Sequence, residues 1–415
     1  MNGGDVEIMA PAGSYESLAA AIQGGAGSVY FGIEGLNMRS RSSNNFSLDD
    51  LKKIATTCRT KGIKSYLTVN TIIYDSDLSH MRSIIDAAKT AGISAIIAAD
   101  VAAMGYAHSI GVEVHLSTQL NISNVEALRF YARFADVAVL ARELNLEQVK
   151  KIHQAIDTEN ICGPGGKKIR IEMFCHGALC MAVSGKCYLS LHEVAQSANR
   201  GACYQVCRRG YVVKDRESDI ELDIENQYIM SPKDLKTIHF LNKMLDAGVT
   251  VFKIEGRARS AEYVRTTVEC YKEAIAAWQE SAFTPNRIER WNKRLSEVFN
   301  RGFWDGYYLG QRLGEWSHNY GSSATKQKIY VGKVIKYFSK LRVAEFLMEA
   351  QSLCAGDEVL ITGTTTGALS LLAEEIRVNL KPVAETIRGD YFSMKVQEKV
   401  RPNDKLYKIA LKEPD

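Results

Sequence analysis

Five of the nine cysteines fall within residues 174–207, FCHGALCMAVSGKCYLSLHEVAQSANRGACYQVC. Thiols gathered this way can form a disulfide framework, hold a metal or iron–sulfur cluster, or supply a nucleophile. Cys180, Cys187, Cys203 and Cys207 follow the spacing C-x6-C-x15-C-x3-C, with Cys175 just upstream. Structural zinc sites gather their ligands as close pairs, and only the last pair here is tight. A cubane presents four separated iron corners and accepts wider spacing. Spacing alone leaves cluster, zinc and unrelated buried thiols open. Cys58, Cys162, Cys270 and Cys354 stand alone, as small core residues do.

The chain has 415 residues, 46% hydrophobic and 24% charged, an ordinary globular balance. The start, MNGGDVEIMAPAG, shows neither a basic n-region nor an apolar h-region. No run reaches the ~18 apolar residues of a membrane span. A cytoplasmic location without membrane contact is therefore expected, with reduced thiols, and the disulfide reading recedes. A net charge of +4 excludes a tail-driven nucleic-acid binder but allows a local basic surface.

The elements that would position the cysteines alternate in type. Strands are expected at residues 6–10, 28–33, 64–71, 95–100, 113–117, 137–142, 170–175 and 250–255. Helices are expected between them, for example at 47–61, 78–91, 125–134, 146–157 and 234–247. Eight strands with helices between them predict a (β/α)8 TIM-like barrel over residues 1–282. There is no G-x-G-x-x-G after a strand and no P-loop. The regularity fails once, after strand seven, where the cysteine-rich insertion (175–210) opens. Such insertions at the carboxyl end of a barrel strand usually carry chemistry. Residues 283–323 read as a linker helix and a Gly/aromatic segment. Residues 324–415 read as a small C-terminal all-β barrel, a module for docking RNA, a protein partner or a second copy of the chain.

Strand ends would deliver a polar set to the barrel mouth. It comprises Asn70 and Thr71, Asp100, Ser117, Gln119 and Asn121, Arg142 and Glu143, His176, and Glu255 with Arg257. Glu255, Arg257, His176 and Asn70 are the catalytic candidates. Arg39, Arg41, Arg142, Gln119 and Asn121 are candidate substrate binders, the arginines because guanidinium grips carboxylate in bidentate fashion. Lys253 alternates into the barrel interior. Arg39-Ser40-Arg41-Ser42 and Arg208-Arg209 would form a phosphate-facing patch, and Tyr188, Tyr204 and Tyr211 are candidate stacking platforms.

The runs MAPAGSYESLAAAIQGGAGSVYFG, LTVNT, HLSTQLNISN, FCHGALCMAVSGKCYLS, NRGACYQVCRRGY and FKIEGRARSAEYV resemble the collagenase-like peptidases, peptidase family U-32. That resemblance implies a barrel holding an oxygen-sensitive 4Fe–4S cluster. It also implies hydroxylase activity, on tRNA wobble uridine or a 23S rRNA cytidine with prephenate as co-substrate, or in ubiquinone synthesis. One cluster pattern of the family uses a helix-start cysteine in D-L-C; here Lys236 follows Asp234-Leu235. The other pattern, of the tRNA-modifying members, carries the ligand role onto Cys180, Cys187, Cys203 and Cys207. Cys175 stands where many relatives have an apolar residue. Prephenate-dependent hydroxylation of tRNA uridine to 5-hydroxyuridine is thus the expectation, with the rRNA activity or peptidase activity as alternatives. Proteolysis finds little in the motifs: there is no H-E-x-x-H and no G-x-S-x-G. Cys175 and His176, adjacent on a strand, should face opposite ways.

Overall fold

The computed structural model describes residues 6–41, 44–212 and 228–412. Seven strands come first: β1 (Glu7–Pro11), β2 (Ser28–Phe31), β3 (Lys64–Val69), β4 (Ala95–Ala98), β5 (Val114–Leu116), β6 (Val137–Val139) and β7 (Arg170–Gly177). Interleaved with them are α1 (Tyr15–Gly24), α2 (Asp50–Thr60), α3 (Leu78–Ala91), α4 (Val101–Ser109), α5 (Val125–Ala132) and α6 (Leu146–Thr158). After the cysteine loop with its short α7 (Leu189–Val194) come β8 (Asp234–Lys236), α8 (Leu241–Asp246), β9 (Val249–Ile254) and α9 (Ala261–Gln279). β1 to β7 pair in sequence, all parallel, and β9 pairs with both β1 and β7, closing an eight-stranded barrel. The (β/α)8 expectation is met.

Local chemistry sets the helix starts. Ser14 Oγ accepts from Ser17 N–H ahead of α1, Asp100 caps α4, and Asn145 with Gln148 forms a capping box on α6. One expected helix is corrected. The segment expected as a helix at 234–247 opens instead with β8, antiparallel to the overhanging end of β7 (His176 opposite Lys236, Gly177 opposite Leu235). A one-turn 3-10 segment follows, and helix begins only at Leu241. β7 outruns its neighbours, and its unpaired edge recruits a strand where local pattern reads helix.

Inside the barrel, Met9, Tyr30, Tyr66, Ala95, Ile97, Val137 and Val251 form a buried cluster. Below it Glu7 accepts from Ser28 and Tyr66 hydroxyls, each at 2.7 Å, and pairs with Arg170 at 3.0 Å. Lys253 and Glu172 also face inward, joined at 2.6 Å and almost wholly buried.

α10 (Pro285–Glu297) and the two-residue β10 (Phe303–Trp304) lead to the second sheet. Its strands are β11 (Lys326–Phe338), β12 (Val343–Met348), β14 (Glu358–Gly363), β15 (Gly367–Leu372), β16 (Ile376–Val378), β17 (Lys381–Val383), β19 (Tyr391–Lys395) and β20 (Lys405–Leu411). β13 (Leu353–Cys354) and β18 (Glu385–Thr386) form a separate short ladder. These antiparallel strands enclose their own core, with Phe346 and Phe392 stacked at 5.1 Å. The module is tied to the barrel: Gln23 on α1 donates to Thr366 O, and Lys328 pairs with Glu262 on α9 at 2.7 Å.

Candidate functional site

The cysteine loop folds over the carboxyl ends of the barrel strands. Gly201 shows how closely. It has φ of +89°, and a Cβ there would lie 2.6 Å from Asn37 O and 2.1 Å from Ser40 Oγ. Only glycine lets the loop reach the segment after β2. Arg41 N–H donates to Gly201 O across the same contact at 3.3 Å.

Cys180 is exposed, and Cys187, Cys203 and Cys207 are half-buried. Burial pushes the Cys187 and Cys207 thiols up, and neighbouring thiols add to it: Cys203 and Cys180 act on Cys187, and Cys180, Cys203 and Cys187 on Cys207. All four thus lie within electrostatic reach of one another. Among the described residues no three His, Cys, Asp or Glu side chains converge tightly enough to hold a metal ion. Four neighbouring thiols are a donor set that either a 4Fe–4S cluster or a zinc ion would use. Cys175 is separate: fully buried, its Sγ lies 3.5 Å from Lys253 O.

Beneath the loop, four of the expected residues meet around the buried Tyr30 hydroxyl, which feels Glu255, Arg257, Arg39 and Arg142. Arg39 Nη2 bonds Glu255 Oε1 at 3.3 Å. Burial opposes the charge of Arg39, but Glu255 and the Cys203 and Cys180 thiols outweigh it. Burial likewise pushes Glu255 up, yet Arg39, Arg259, Arg142 and Arg301 hold it below the usual carboxylate range. Arg257 is 7% exposed and donates to Thr68 Oγ1 at 3.1 Å. Arg142 is 9% exposed, donates to Ala178 O, stacks 3.8 Å over the Phe174 ring, and leaves its Nε without a partner. Neither has a carboxylate within ion-pair distance among the described residues. Burial pushes Arg257 down to about 10. Arg39, Arg142, Arg257 and Lys253 face Glu255 and Glu172, and Arg259 and Arg301 with Asp234 lie close by, so among the described residues positive charge is in excess. A buried excess of this sign calls for an anionic ligand.

Asn70, Gln119 and Asn121 form a second group under the loop. Asn70 Nδ2 donates to Ser117 Oγ and Gln119 Oε1, each at 3.2 Å. Asn121 Nδ2 donates to Gln119 O and to Ser184 O of the loop. Arg41 is exposed and borders a cleft of about 460 Å³ with Ser14 and Ser17.

His176 does not reach the mouth. It is 1% exposed, packed among Tyr263, Tyr271 and Phe303 with both ring nitrogens unpartnered, and burial pushes it down to about 3. A register shift between Phe174 and His176 interrupts the alternation expected there. Nor is Arg208 a phosphate contact: it donates to Leu179 O, Pro232 O and Ser231 Oγ, pinning the loop from behind. Arg209 pairs with Glu193, and the Tyr211 hydroxyl is committed to Val206 O. Ser42 lies outside the described residues. Tyr188 and Tyr204 are exposed. Lys236 is half-buried, its Nζ 4.9 Å over the Phe303 ring.

Sequence reasoning passed over Tyr30, Thr68 and Glu172. A carboxylate at position 172 among the apolar residues of β7 was the signal for the last. Trp304, Tyr307 and Trp316, which share a small pocket with Cys180 and Arg142, had no signal beyond their density.

A (β/α)8 barrel with a cysteine loop over a basic mouth is the class of protein these features define. Residues 13–318 match the model of peptidase family U32, and the chain belongs to that family. It is 69% identical over 413 residues to a protein named collagenase from Porphyromonas gingivalis, spanning 100% of both chains. It is 32% identical over 365 residues to tRNA hydroxylation protein P1 of Bacillus subtilis, covering 86% of this chain and 83% of that one. It is also 35% identical over 318 residues to a 23S rRNA 5-hydroxycytidine synthase of Escherichia coli, covering 75% and 46%.

Proposed function

We propose that this protein is an iron–sulfur RNA-modifying enzyme that hydroxylates a tRNA uridine with prephenate as co-substrate. The observation that carries the reading is the gathering of Cys180, Cys187, Cys203 and Cys207 over a mouth where the buried Arg142 and Arg257 lack carboxylate partners among the described residues. The four cysteines would hold a 4Fe–4S cluster, which supplies one-electron chemistry when bound. Arg142 and Arg257 bind the two carboxylates of prephenate and offset the buried excess of charge. Glu255, kept ionised beside Arg39, is the group at the mouth that takes a proton. Relatives named for tRNA and rRNA hydroxylation support an RNA substrate.

Nucleosides of tRNA from a deletion strain, measured by mass spectrometry, test the proposal: 5-hydroxyuridine derivatives should disappear, and blocking prephenate synthesis should reproduce the loss. Loss of a hydroxylated cytidine from 23S rRNA instead would assign the rRNA activity. A second reading, peptidase, is favoured by the name of the 69% identical relative. Against it, the adjacent Cys175 and His176 are both sealed from substrate. Cleavage of gelatin by metal-replete protein, with unaltered RNA nucleosides in the deletion strain, would establish it.

A further inference from the structure

Beside the basic mouth lies a separate cavity of about 170 Å³ under the cysteine loop. This is below the roughly 300–1,000 Å³ of a drug-sized site, and suits a single ring. Met38, Ile72, Leu120 and Tyr131 supply apolar and aromatic walls, while Asn70, Gln119, Asn199 and Lys186 supply the polar groups. Gly185 of the loop closes on Gln119: at φ of +77°, a Cβ there would lie 2.8 Å from Gln119 Cγ. Cys187 is two residues further on.

The orientation of Gln119 is dictated from the backbone. Met38 N–H, which can only donate, bonds Asn70 Oδ1 at 3.2 Å. That fixes the Asn70 amide, so its Nδ2 must donate, and it does so to Ser117 Oγ and Gln119 Oε1. The Ser117 hydroxyl donates to the same Gln119 oxygen. Gln119 Oε1 is thereby committed, and the amide can turn only its Nε2 donors to the cavity. Asn70 accordingly acts as a positioning residue.

We propose that this cavity takes the target base out of its stack and that Gln119 Nε2 selects uracil over cytosine. Uracil offers carbonyl O4 where cytosine offers an amino donor, so a fixed amide N–H pairs with the first and opposes the second. The walls accept a flipped ring between apolar and aromatic side chains. This inference rests on the RNA-modifying reading and adds to it the residue that reads the base.

The test uses anaerobically purified full chain and two fluorescein-labelled RNA hairpins that differ only in uridine or cytidine at one position of a seven-nucleotide loop. Anisotropy should show the uridine hairpin bound about tenfold more tightly. Gln119→Glu, which presents an acceptor in place of the donor, should bring that ratio to one or below. Ala99→Leu fills the cavity from the end of β4 without touching the relay, and should also abolish the preference. Circular dichroism confirms that each variant is folded. Binding of both hairpins with a ratio unchanged in either variant would overturn the base-reading role alone. Failure of wild-type protein to bind either hairpin would overturn this role and the RNA reading together.

Discussion

Two buried carboxylates at opposite ends of the barrel should respond oppositely to the same substitution. Glu7 lies at the amino-terminal end of the strands, where barrels invest in stability, and Glu255 at the carboxyl end, where they place function. Burial works against the charge of Glu7, yet Arg170, Ser28, Lys64 and Tyr66 together hold its carboxyl down to about 2 from an ordinary 4.5. A carboxylate depressed by this amount contributes about 3 kcal/mol. Its folded pKa lies below the unfolded one. The contribution is therefore present in full above about pH 4.5 and lost as pH falls towards 2. Glu7→Gln should lower the stability of the barrel by about that amount at pH 7, read as a lower urea midpoint by circular dichroism. It should also flatten the acid limb of the stability profile between pH 4.5 and 2. Glu255→Gln should lower the midpoint less than Glu7→Gln does, because its partner Arg39 keeps some access to solvent, and should abolish modification of RNA. Equal urea midpoints for wild type and Glu7→Gln, or the loss of stability appearing in Glu255→Gln instead, would refute this division of the barrel.

Anaerobically purified protein should be brown, with about four irons per chain. Single alanine variants of Cys180, Cys187, Cys203 and Cys207 should each lose most iron while Cys58→Ala keeps it; stoichiometric zinc without iron would contradict the cluster. Lys253→Met strands the buried Glu172 carboxylate and should destabilise by about 3–5 kcal/mol, whereas Lys253→Met with Glu172→Leu should recover much of it in the same urea assay. Arg257→Ala should abolish RNA modification at ordinary prephenate levels while leaving iron content unchanged. Loss of the cluster in that variant would make Arg257 structural. Affinity for tRNA should fall steeply as salt is raised, because phosphate contacts dominate such binding.

The barrel was legible because its strands are short apolar runs separated by capped amphipathic helices, and each signal is local. The rim residues Glu255, Arg257, Arg142 and Arg39 were legible for the same reason: a strand's end predicts a place at the mouth. His176 was misplaced because a register shift in β7 overrides the alternation of facing that adjacent residues otherwise keep. The extent of β8 was missed because an exposed strand edge, a tertiary feature, recruited residues whose pattern reads helix.

The sequence by itself determined the parallel barrel, the insertion that interrupts it and the set of thiols and arginines available. Composition, periodicity and spacing carry that information along one dimension. Only the tertiary structure decided which charges remain unpaired. Arg208 and Arg142 are alike on paper, yet one is consumed by three acceptors that pin the loop and the other faces the mouth with an orphaned Nε. It also decided which way Gln119 points. That depends on a backbone N–H at residue 38 and an amide at residue 70, brought together when β2 and β3 pair and the segments beyond them meet. A hydrogen-bond partner is a fact of distance and direction, and those exist only once the chain has closed on itself.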